Sequence, residues 1–348
     1  MQLTTLRCLL FAKKQIIQSF IICGLICAQL FAVNAQAQHG LQFDGTDDRV
    51  TLPLAFNGSY TKEARIKPTA ATLATPSPNI FSGTTTALFI LGSKLTAGHA
   101  GPSNYVDVQD ATDLVDGTWY HVAVTYDAGT GTMSLYKDGV LLQSKPGVSS
   151  FTETSQDLSY FFGNQFGGEM DEVRFWSTVR TQTELAANKD CELSGDEPFL
   201  VAYYNFNQGV ADGNNTGLTT LMDTQDKCAT ALNGTLQNFA LNGSTSNWIA
   251  TPALAASCGS FANVNLIGNS VCIANGDVTP STDDHTKFAN QLVAPVTRTF
   301  SIQNTGGATL NISSVTISGA NASDFFVTAA PPSSIAANAS ATFTISFN

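Results

Sequence analysis

Strict alternation of side chains over short segments is the feature that most constrains the fold of this chain. In residues 118–127 (TWYHVAVTYD), every second residue from 120 to 126 is Tyr or Val, and the opposite face is not strongly polar either. A period of two predicts a β-strand, and two weakly polar faces indicate a strand covered on both sides. Residues 133–136, the turn dipeptide 138–139 (Asp-Gly) and residues 140–142 then predict a β-hairpin.

The same alternation recurs to residue 250. In residues 168–176 (GEMDEVRFW) it puts Asp171 and Val173 on one face, and Glu172 and Arg174 on the other. Further strands are predicted at 200–206 and 236–241. The pattern predicts a single short helix, at 181–188, where Thr181 caps the N-terminus and Glu184 completes a capping box. Many short strands separated by turns favour an all-β fold, in which two antiparallel sheets pack as a sandwich.

Residues 1–37 have the pattern of a signal peptide. A basic start precedes the apolar stretch 16–33, and Ala35-Gln36-Ala37 supplies small residues at a cleavage site. The alternative is a membrane anchor, but glutamines interrupt the apolar stretch and no basic cluster follows it. We expect cleavage after Ala37, a secreted or cell-surface location, and no membrane insertion of the mature chain.

Charge excludes some partners. Residues 1–37 contain three of the 16 basic residues and none of the 27 acidic ones, so their removal changes the net charge from −11 to −14. Such a negative chain repels nucleic acid and anionic lipid, and neither is expected as a partner.

Four cysteines follow residue 37: Cys191, Cys228, Cys258 and Cys272. An even number in an exported chain predicts two disulfides, although buried free thiols are the alternative. Three pairings are possible. Proximity in sequence favours Cys191–Cys228 and Cys258–Cys272.

Composition suggests two domains after the signal peptide. Residues 251–259 are rich in small residues and show no periodic pattern, and alternation resumes from residue 264. We therefore expect a first domain at 38–250, a linker at 251–262 and a second sandwich domain at 263–348.

The first domain resembles the LamG-like jelly-roll family, which belongs to the concanavalin A-like sandwiches. The matching segments are 41–50 (LQFDGTDDRV), 117–139, 168–176 with the helix after it, 203–206 and 233–236. The resemblance implies two curved antiparallel sheets, an extracellular location, and polysaccharide or glycoprotein ligands near the concave face or its rim. Some members bind calcium.

The second domain resembles the Ig-like choice-of-anchor D module. The matching segments are 273–277, 299–306, 317–325 and 341–348. The family pattern continues for two or more strands past the last of these, so the resemblance implies a domain that is incomplete at its C-terminus.

Catalysis is not predicted at any residue. Laminarinase-type hydrolases of the same sandwich carry E-x-D-x-x-E, whose two Glu act as nucleophile and general acid. Here Glu169 and Asp171 match the first two positions, but Arg174 stands where the second Glu is required. One carboxylate cannot both attack and protonate, so the chain is expected not to be an enzyme of this type.

Two kinds of binding site remain open. Asp44, Gly45, Asp47 and Asp171 are candidates for a calcium site, because calcium prefers carboxylate and carbonyl oxygens; simple turns are the alternative. Asn104, Tyr105, Trp119 and Trp176 are candidates for binding a ligand, and the alternative for both tryptophans is the core.

The favoured function is a noncatalytic extracellular binding or adhesion protein whose jelly-roll domain recognises carbohydrate or a surface glycoprotein. A glycoside hydrolase with unrecognised acids, and a structural spacer module of a large surface protein, are the alternatives.

Overall fold

Nearly all regular structure in the described residues is β-strand, which confirms the predicted all-β fold. The computed structural model describes residues 38–55, 57–100, 105–150, 152–160, 163–195, 197, 199–225, 231–254, 258, 262, 264–273, 279–288, 295–304, 308–319, 321–337 and 339–347. The predicted signal peptide lies outside these residues. Within them, no helix combines the length and the apolar character needed to cross a membrane.

The strands up to residue 250 form two antiparallel sheets. They are β1 (His39–Asp44), β2 (Arg49–Leu52), β3 (Tyr60–Pro68), β4 (Asn79–Ser82), β5 (Thr86–Leu91), β6 (Lys94–Ala100), β7 (Tyr105–Gln109), β8 (Tyr120–Asp127), β9 (Thr132–Lys137), β10 (Val140–Lys145), β11 (Gln156–Leu158), β12 (Gly167–Trp176), β13 (Leu200–Tyr204), β14 (Thr220–Leu221), β15 (Gly234–Gln237) and β16 (Asn247–Ala250). Sheet I has the order β10-β9-β8-β3-β12-β1-β16, with β13 also paired to β12. Sheet II has the order β14-β15-β2-β11-β4-β5-β6-β7.

The two sheets enclose one apolar core. In β8, Val122, Val124 and Tyr126 belong to this core, as their alternation predicts. Phe81 of sheet II and Phe175 of sheet I meet across it with ring centroids 5.4 Å apart. Burying an apolar side chain of this size contributes about 1.5–3 kcal/mol, so the shared core accounts for the pairing of the sheets.

A β-bulge in β12 changes which side chains share a face. Between Asp171 and Arg174, β12 advances three residues while β3 advances two, and Glu172 has a φ of 53°. Val173 is in the core, whereas Asp171 lies on the outer face with Arg174. The prediction that Asp171 and Val173 share a face was wrong, because a bulge shifts the alternation by one residue.

The described residues form two short α-helices, α1 (Ala70–Ala74) and α2 (Gln182–Asn188), and one 3₁₀-helix, Ala322–Asp324. For α2, the predicted N-cap at Thr181 and the capping box with Glu184 are both present. Helix α1 was missed because five residues are too few to show a helical period. Thr69 caps it by accepting a hydrogen bond from the backbone N–H of Thr72.

The strands beyond residue 263 form a separate sheet. They are β17 (Val264–Gly268), β18 (Val271–Ile273), β19 (Val296–Asn304), β20 (Leu310–Asn311), β21 (Phe325–Ala329), β22 (Ser334–Ile335) and β23 (Ala339–Phe347). Sheet III has the order β18-β17-β19-β23-β21, and β20 pairs with β22. Phe300 and Phe343 stack within an apolar cluster of their own. The assignment to an Ig-like family and the domain boundaries stay predictions.

A buried polar network holds the segment after α2 against the outer face of sheet I. Arg174 donates to the backbone oxygens of Asn188 and Cys191 and to the carboxylate of Glu172. The hydroxyl of Tyr203 donates to the same carboxylate at 2.8 Å. Because each of these charges is buried, its partners have to be fixed in place for the fold to be stable.

The described disulfide joins Cys191 to Cys258, so the favoured pairings Cys191–Cys228 and Cys258–Cys272 were wrong. Cys272 is also disulfide-bonded, and Cys228 lies outside the described residues. Proximity in sequence misled, because the chain after β16 returns to the segment that follows α2. There the backbone N–H of Cys258 donates to the oxygen of Glu192 at 3.1 Å.

We expect non-reducing peptide mapping to recover a peptide pair that contains Cys191 and Cys258. Replacing both residues by Ala should lower the free energy of unfolding by about 2–5 kcal/mol, because the crosslink restricts the unfolded chain. A peptide that joins Cys191 to Cys228 would contradict the structure.

Candidate functional site

The four predicted ligand residues do not form one site. Trp176 is fully buried, and its Nε1 donates to Glu63, so it offers no open surface. Trp119 is half-buried beside Arg65, whose guanidinium carbon lies 5.1 Å from the ring centroid. Asn104 lies outside the described residues.

An open groove on the outer face of sheet II contains the remaining candidate, Tyr105. Its volume is about 520 Å³. Alternation in β5 buries Leu88 and Ile90 in the core and turns Phe89 toward this groove. The described residues that line the sheet II groove are Ser77, Asn79, Gly83, Thr84, Thr85, Ala87, Phe89, Leu91, Ala100, Tyr105, Asp107 and Asn164.

Gly98 makes room for the ring of Tyr105. A Cβ at position 98 would lie 1.6 Å from the hydroxyl oxygen of Tyr105, so a larger residue would push the ring away from the sheet. Burial of the hydroxyl, and to a smaller extent the charge of Asp107, raises the pKa of Tyr105 to about 12. Tyr105 is 56% exposed overall, so its ring is an accessible aromatic surface in the groove.

Asn79 contributes a polar atom that lacks a partner. Its side chain is 2% exposed, and its Nδ2 donates to the backbone oxygen of Ser77 at 2.9 Å. Its Oδ1 accepts no hydrogen bond from the described residues. Leaving a buried acceptor unpaired costs about 1–3 kcal/mol.

Glu153 holds the turn that forms one wall of the groove. This carboxylate is fully buried and accepts hydrogen bonds from the backbone N–H groups and the hydroxyls of Thr84, Thr85 and Thr86. A Cβ at position 83 would lie 2.4 Å from the same carboxylate, so Gly83 is required for this close approach. The wall position is therefore set by a side chain that does not line the groove.

Lys62 places a second charge behind that wall. It is fully buried, and its ammonium donates to Thr86 and Gln156. Burial lowers the pKa of Lys62 to about 7, although the charge of Glu153 opposes the shift. For Glu153, burial acts to raise the pKa, but Lys62 and the threonine hydrogen bonds outweigh it and hold that pKa below its usual value.

The predicted calcium residues come together only in part. Asp44, Asp47 and Asp48 offer carboxylate oxygens within 4.8 Å of one another. Asp171 lies beside Gly40. Gly40 precedes Asp44 by four residues, so Asp171 is roughly 13 Å from Asp44 along β1. Gly45, with a φ of 77°, lies within the turn.

Asp48 is the buried member of this turn. It accepts hydrogen bonds from the hydroxyl of Ser246 and the backbone N–H of Asp44. Burial, with the nearby charges of Asp44 and Asp47, raises its pKa to about 6. The turn at residues 44–48 therefore holds carboxylates close together, and their mutual repulsion costs free energy.

The acids of β12 are paired with bases. Asp171 lies 3.7 Å from Arg65, and Glu172 lies 2.6 Å from Arg174. Burial raises the pKa of both carboxyls. Glu169 forms a half-exposed ion pair with Lys67.

Sequence reasoning missed Asn79, Thr84, Asp107 and Glu153. The run of three threonines at 84–86 was the available signal for the wall. Nothing local marked Glu153, because its partners lie almost 70 residues earlier in the chain.

Comparison with known proteins agrees with this architecture. Residues 44–186 match the family model described as the concanavalin A-like lectin/glucanases superfamily. With the two packed antiparallel sheets, the match identifies this part of the chain as a concanavalin A-like domain. No curated protein matches the chain.

Several solved structures are similar in fold. A putative carbohydrate binding protein from Bacteroides ovatus is 21% identical, with a TM-score of 0.48; the match covers 64% of this chain and 62% of that one, less than two thirds of its length. A SAP-like pentraxin from Limulus polyphemus is 17% identical, with a TM-score of 0.37 and coverage of 45% and 83%. Domain 4 of the GH43 extracellular arabinanase AbnA from Geobacillus stearothermophilus, in complex with arabinotriose, is 20% identical, with a TM-score of 0.36 and coverage of 42% and 74%.

We expect Glu153→Gln to lower the free energy of unfolding by about 3 kcal/mol, because an amide cannot accept all the hydrogen bonds of the threonine turn and leaves Lys62 without its counter-charge. Chemical denaturation would measure the change. Glu169→Gln is the matched control, since it breaks a half-exposed ion pair and should change stability by less than about 1 kcal/mol. Equal effects of the two substitutions would contradict the role given to Glu153.

Proposed function

We propose that this chain is an extracellular binding protein that holds a saccharide in the sheet II groove. The observation that carries the proposal is an exposed Tyr105 ring in an open groove, which is also lined by Asn79, a residue whose Oδ1 is unpaired. A sugar ring has an apolar face of C–H groups and hydroxyls around its edge. An aromatic surface suits the first, and a few fixed polar atoms orient the second.

The groove has the mixed character that such a ligand needs. Phe89 and Leu91 supply apolar surface next to Tyr105, while Asn79 and Asp107 supply polar atoms. This combination favours a sugar over a purely apolar molecule, because a purely apolar molecule would leave the buried oxygen of Asn79 unpaired.

Binding without cleavage is the favoured activity. The β12 acids Asp171 and Glu172 are each 2% exposed and engaged by arginines, so a substrate has no access to them in this arrangement. A hydrolase that used these acids would release reducing sugar, and this activity would be lost in Asp171→Asn.

An extracellular location is part of the proposal. The Cys191–Cys258 disulfide supports it, since disulfides persist mainly in oxidising compartments. A polysaccharide or the glycan of a surface glycoprotein is then the partner.

We expect Tyr105→Ala to weaken glycan binding by at least about tenfold, the usual scale for truncating a central aromatic contact. Gly98→Ala should also weaken it, because the added Cβ displaces the ring without changing its chemistry. Glycan-array screening, followed by calorimetry on a retained glycan, would measure both variants. Phe199→Ala is the control, since Phe199 is an exposed aromatic outside the groove lining.

If the wild-type chain retains no glycan, the binding proposal fails and a structural spacer becomes the better explanation. Retention that is equal in the wild type and Tyr105→Ala would mean that the ligand binds elsewhere.

We also propose a calcium site at Asp44, Asp47 and Asp48. Its support is the close approach of three carboxylates, one of them buried. Calcium would take oxygens from this set and offset their repulsion. Asp48 and one oxygen of Asp44 already accept hydrogen bonds, so the remaining oxygens of Asp44 and Asp47 are the freest ligands.

Asp48 gives this site a pH signature. Its pKa is about 6 in the folded chain against 3.8 as the reference, so the folded state binds the proton more tightly. Stability from this group is therefore full below pH 3.8 and is lost as pH rises through 6. The loss is on the order of 3 kcal/mol. Denaturation at several pH values should show this decline.

Calcium added at pH 7 should restore part of that stability in the wild type but not in Asp47→Asn. Asp116→Asn, which removes an exposed acid elsewhere, is the control and should respond as the wild type does. An unchanged melting temperature on adding calcium to the wild type would eliminate the site.

A further inference from the structure

Four of the polar side chains that line the sheet II groove present hydrogen-bond acceptors; they belong to Thr84, Thr85, Asn79 and Asp107. The hydroxyls of Thr84 and Thr85 donate to Glu153 at 2.7 and 3.0 Å. A hydroxyl has a single hydrogen, so once it is donated only lone pairs remain for a ligand. The backbone N–H groups of both residues are bound to the same carboxylate. The threonine wall therefore presents acceptors.

Two further side chains have the same polarity. Asn79 donates its amide to Ser77, which leaves Oδ1 as the atom without a partner. Asp107 is exposed on β7, and an ionised carboxylate can only accept hydrogen bonds. Its register partner across β7 and β6 is Gly98, so the carboxylate lies on the same strand pair as the Tyr105 ring.

The charge of the groove lining also favours a ligand that donates hydrogen bonds. Asp107 is the one ionised side chain among the described residues that line the groove, and no Lys, Arg or His is among them. Lys62 is buried behind the wall, and its ammonium donates hydrogen bonds to Thr86 and Gln156. A ligand carboxylate or sulfate would therefore lie next to hydrogen-bond acceptors and the like charge of Asp107. The anionic group would lose its water without gaining a hydrogen-bond donor in return.

We propose that the sheet II groove selects sugars that bring donors and a positive charge, that is, amino sugars with a free ammonium group, and rejects uronic and sulfated sugars. Asp107 is the residue that determines this specificity. The inference rests on the proposed saccharide function and adds the chemical class of the ligand. An ammonium supplies three donors for the acceptors of Thr84, Thr85 and Asn79, and its charge pairs with Asp107.

The test compares sugars that differ in one substituent. The panel contains amino hexoses, the corresponding neutral hexoses and the corresponding uronic acids, each in gluco and galacto configuration and as short oligomers. Affinities are measured by calorimetry on the full chain at low ionic strength, where an exposed ion pair is least screened.

We expect the amino sugar to bind about fivefold more tightly than the uronic acid of the same configuration, which is the upper end of the scale for an exposed ion pair. Asp107→Asn should bring this ratio close to one, because the amide carries no charge. Asp116→Asn, the matched control, should keep the ratio of the wild type.

The outcomes separate this inference from the function on which it rests. If the amino sugar and the uronic acid bind equally, and binding still requires Tyr105, the selectivity is overturned and the saccharide function stands. Tighter binding of the uronic acid overturns the selectivity in the same way. If no member of the panel binds and no glycan is retained on an array, both proposals fail.

Discussion

The charge of Glu153, buried behind the outer face of sheet II, is the constraint on which the groove depends. A buried carboxylate is tolerated only when hydrogen bonds replace its water, and here three consecutive threonines supply them. Those bonds fix the turn between β4 and β5 and use up its donors. The stability of the fold and the hydrogen-bonding character of the groove therefore come from one interaction.

The two outer faces of the sandwich differ in how far other parts of the chain cover them. On sheet I, Leu185 of α2 packs on Ala123 and Tyr136, and Arg174 holds the segment up to Cys191. The acids on that face serve the network that retains this cover. On sheet II, Tyr105 and Phe89 line an open groove instead. The acids of β12 are therefore enclosed, whereas Tyr105 and Phe89 line an accessible surface.

Much of the fold could be predicted because it follows from local patterns. The central strand, the hairpin at 138–139 and the capping box at Thr181 depend on residues a few positions apart, and each was confirmed. The bulge at Glu172 was not foreseen, since it arises where β12 pairs with β3. The Cys191–Cys258 disulfide also escaped prediction, because 67 residues separate its ends.

The candidate site also divides into features that local sequence predicts and features that depend on tertiary contacts. By itself, the sequence determined that strands alternate and that two sheets share an apolar core, and it indicated Tyr105 as a candidate for binding a ligand. Only the tertiary structure decided that Tyr105 rests over Gly98, that Asn79 keeps an unpaired oxygen, and that Glu153 reaches the threonine turn. The reason is physical: alternation is set by neighbours along one strand, whereas the polarity of a groove is set by partners that meet only after the sheets pack.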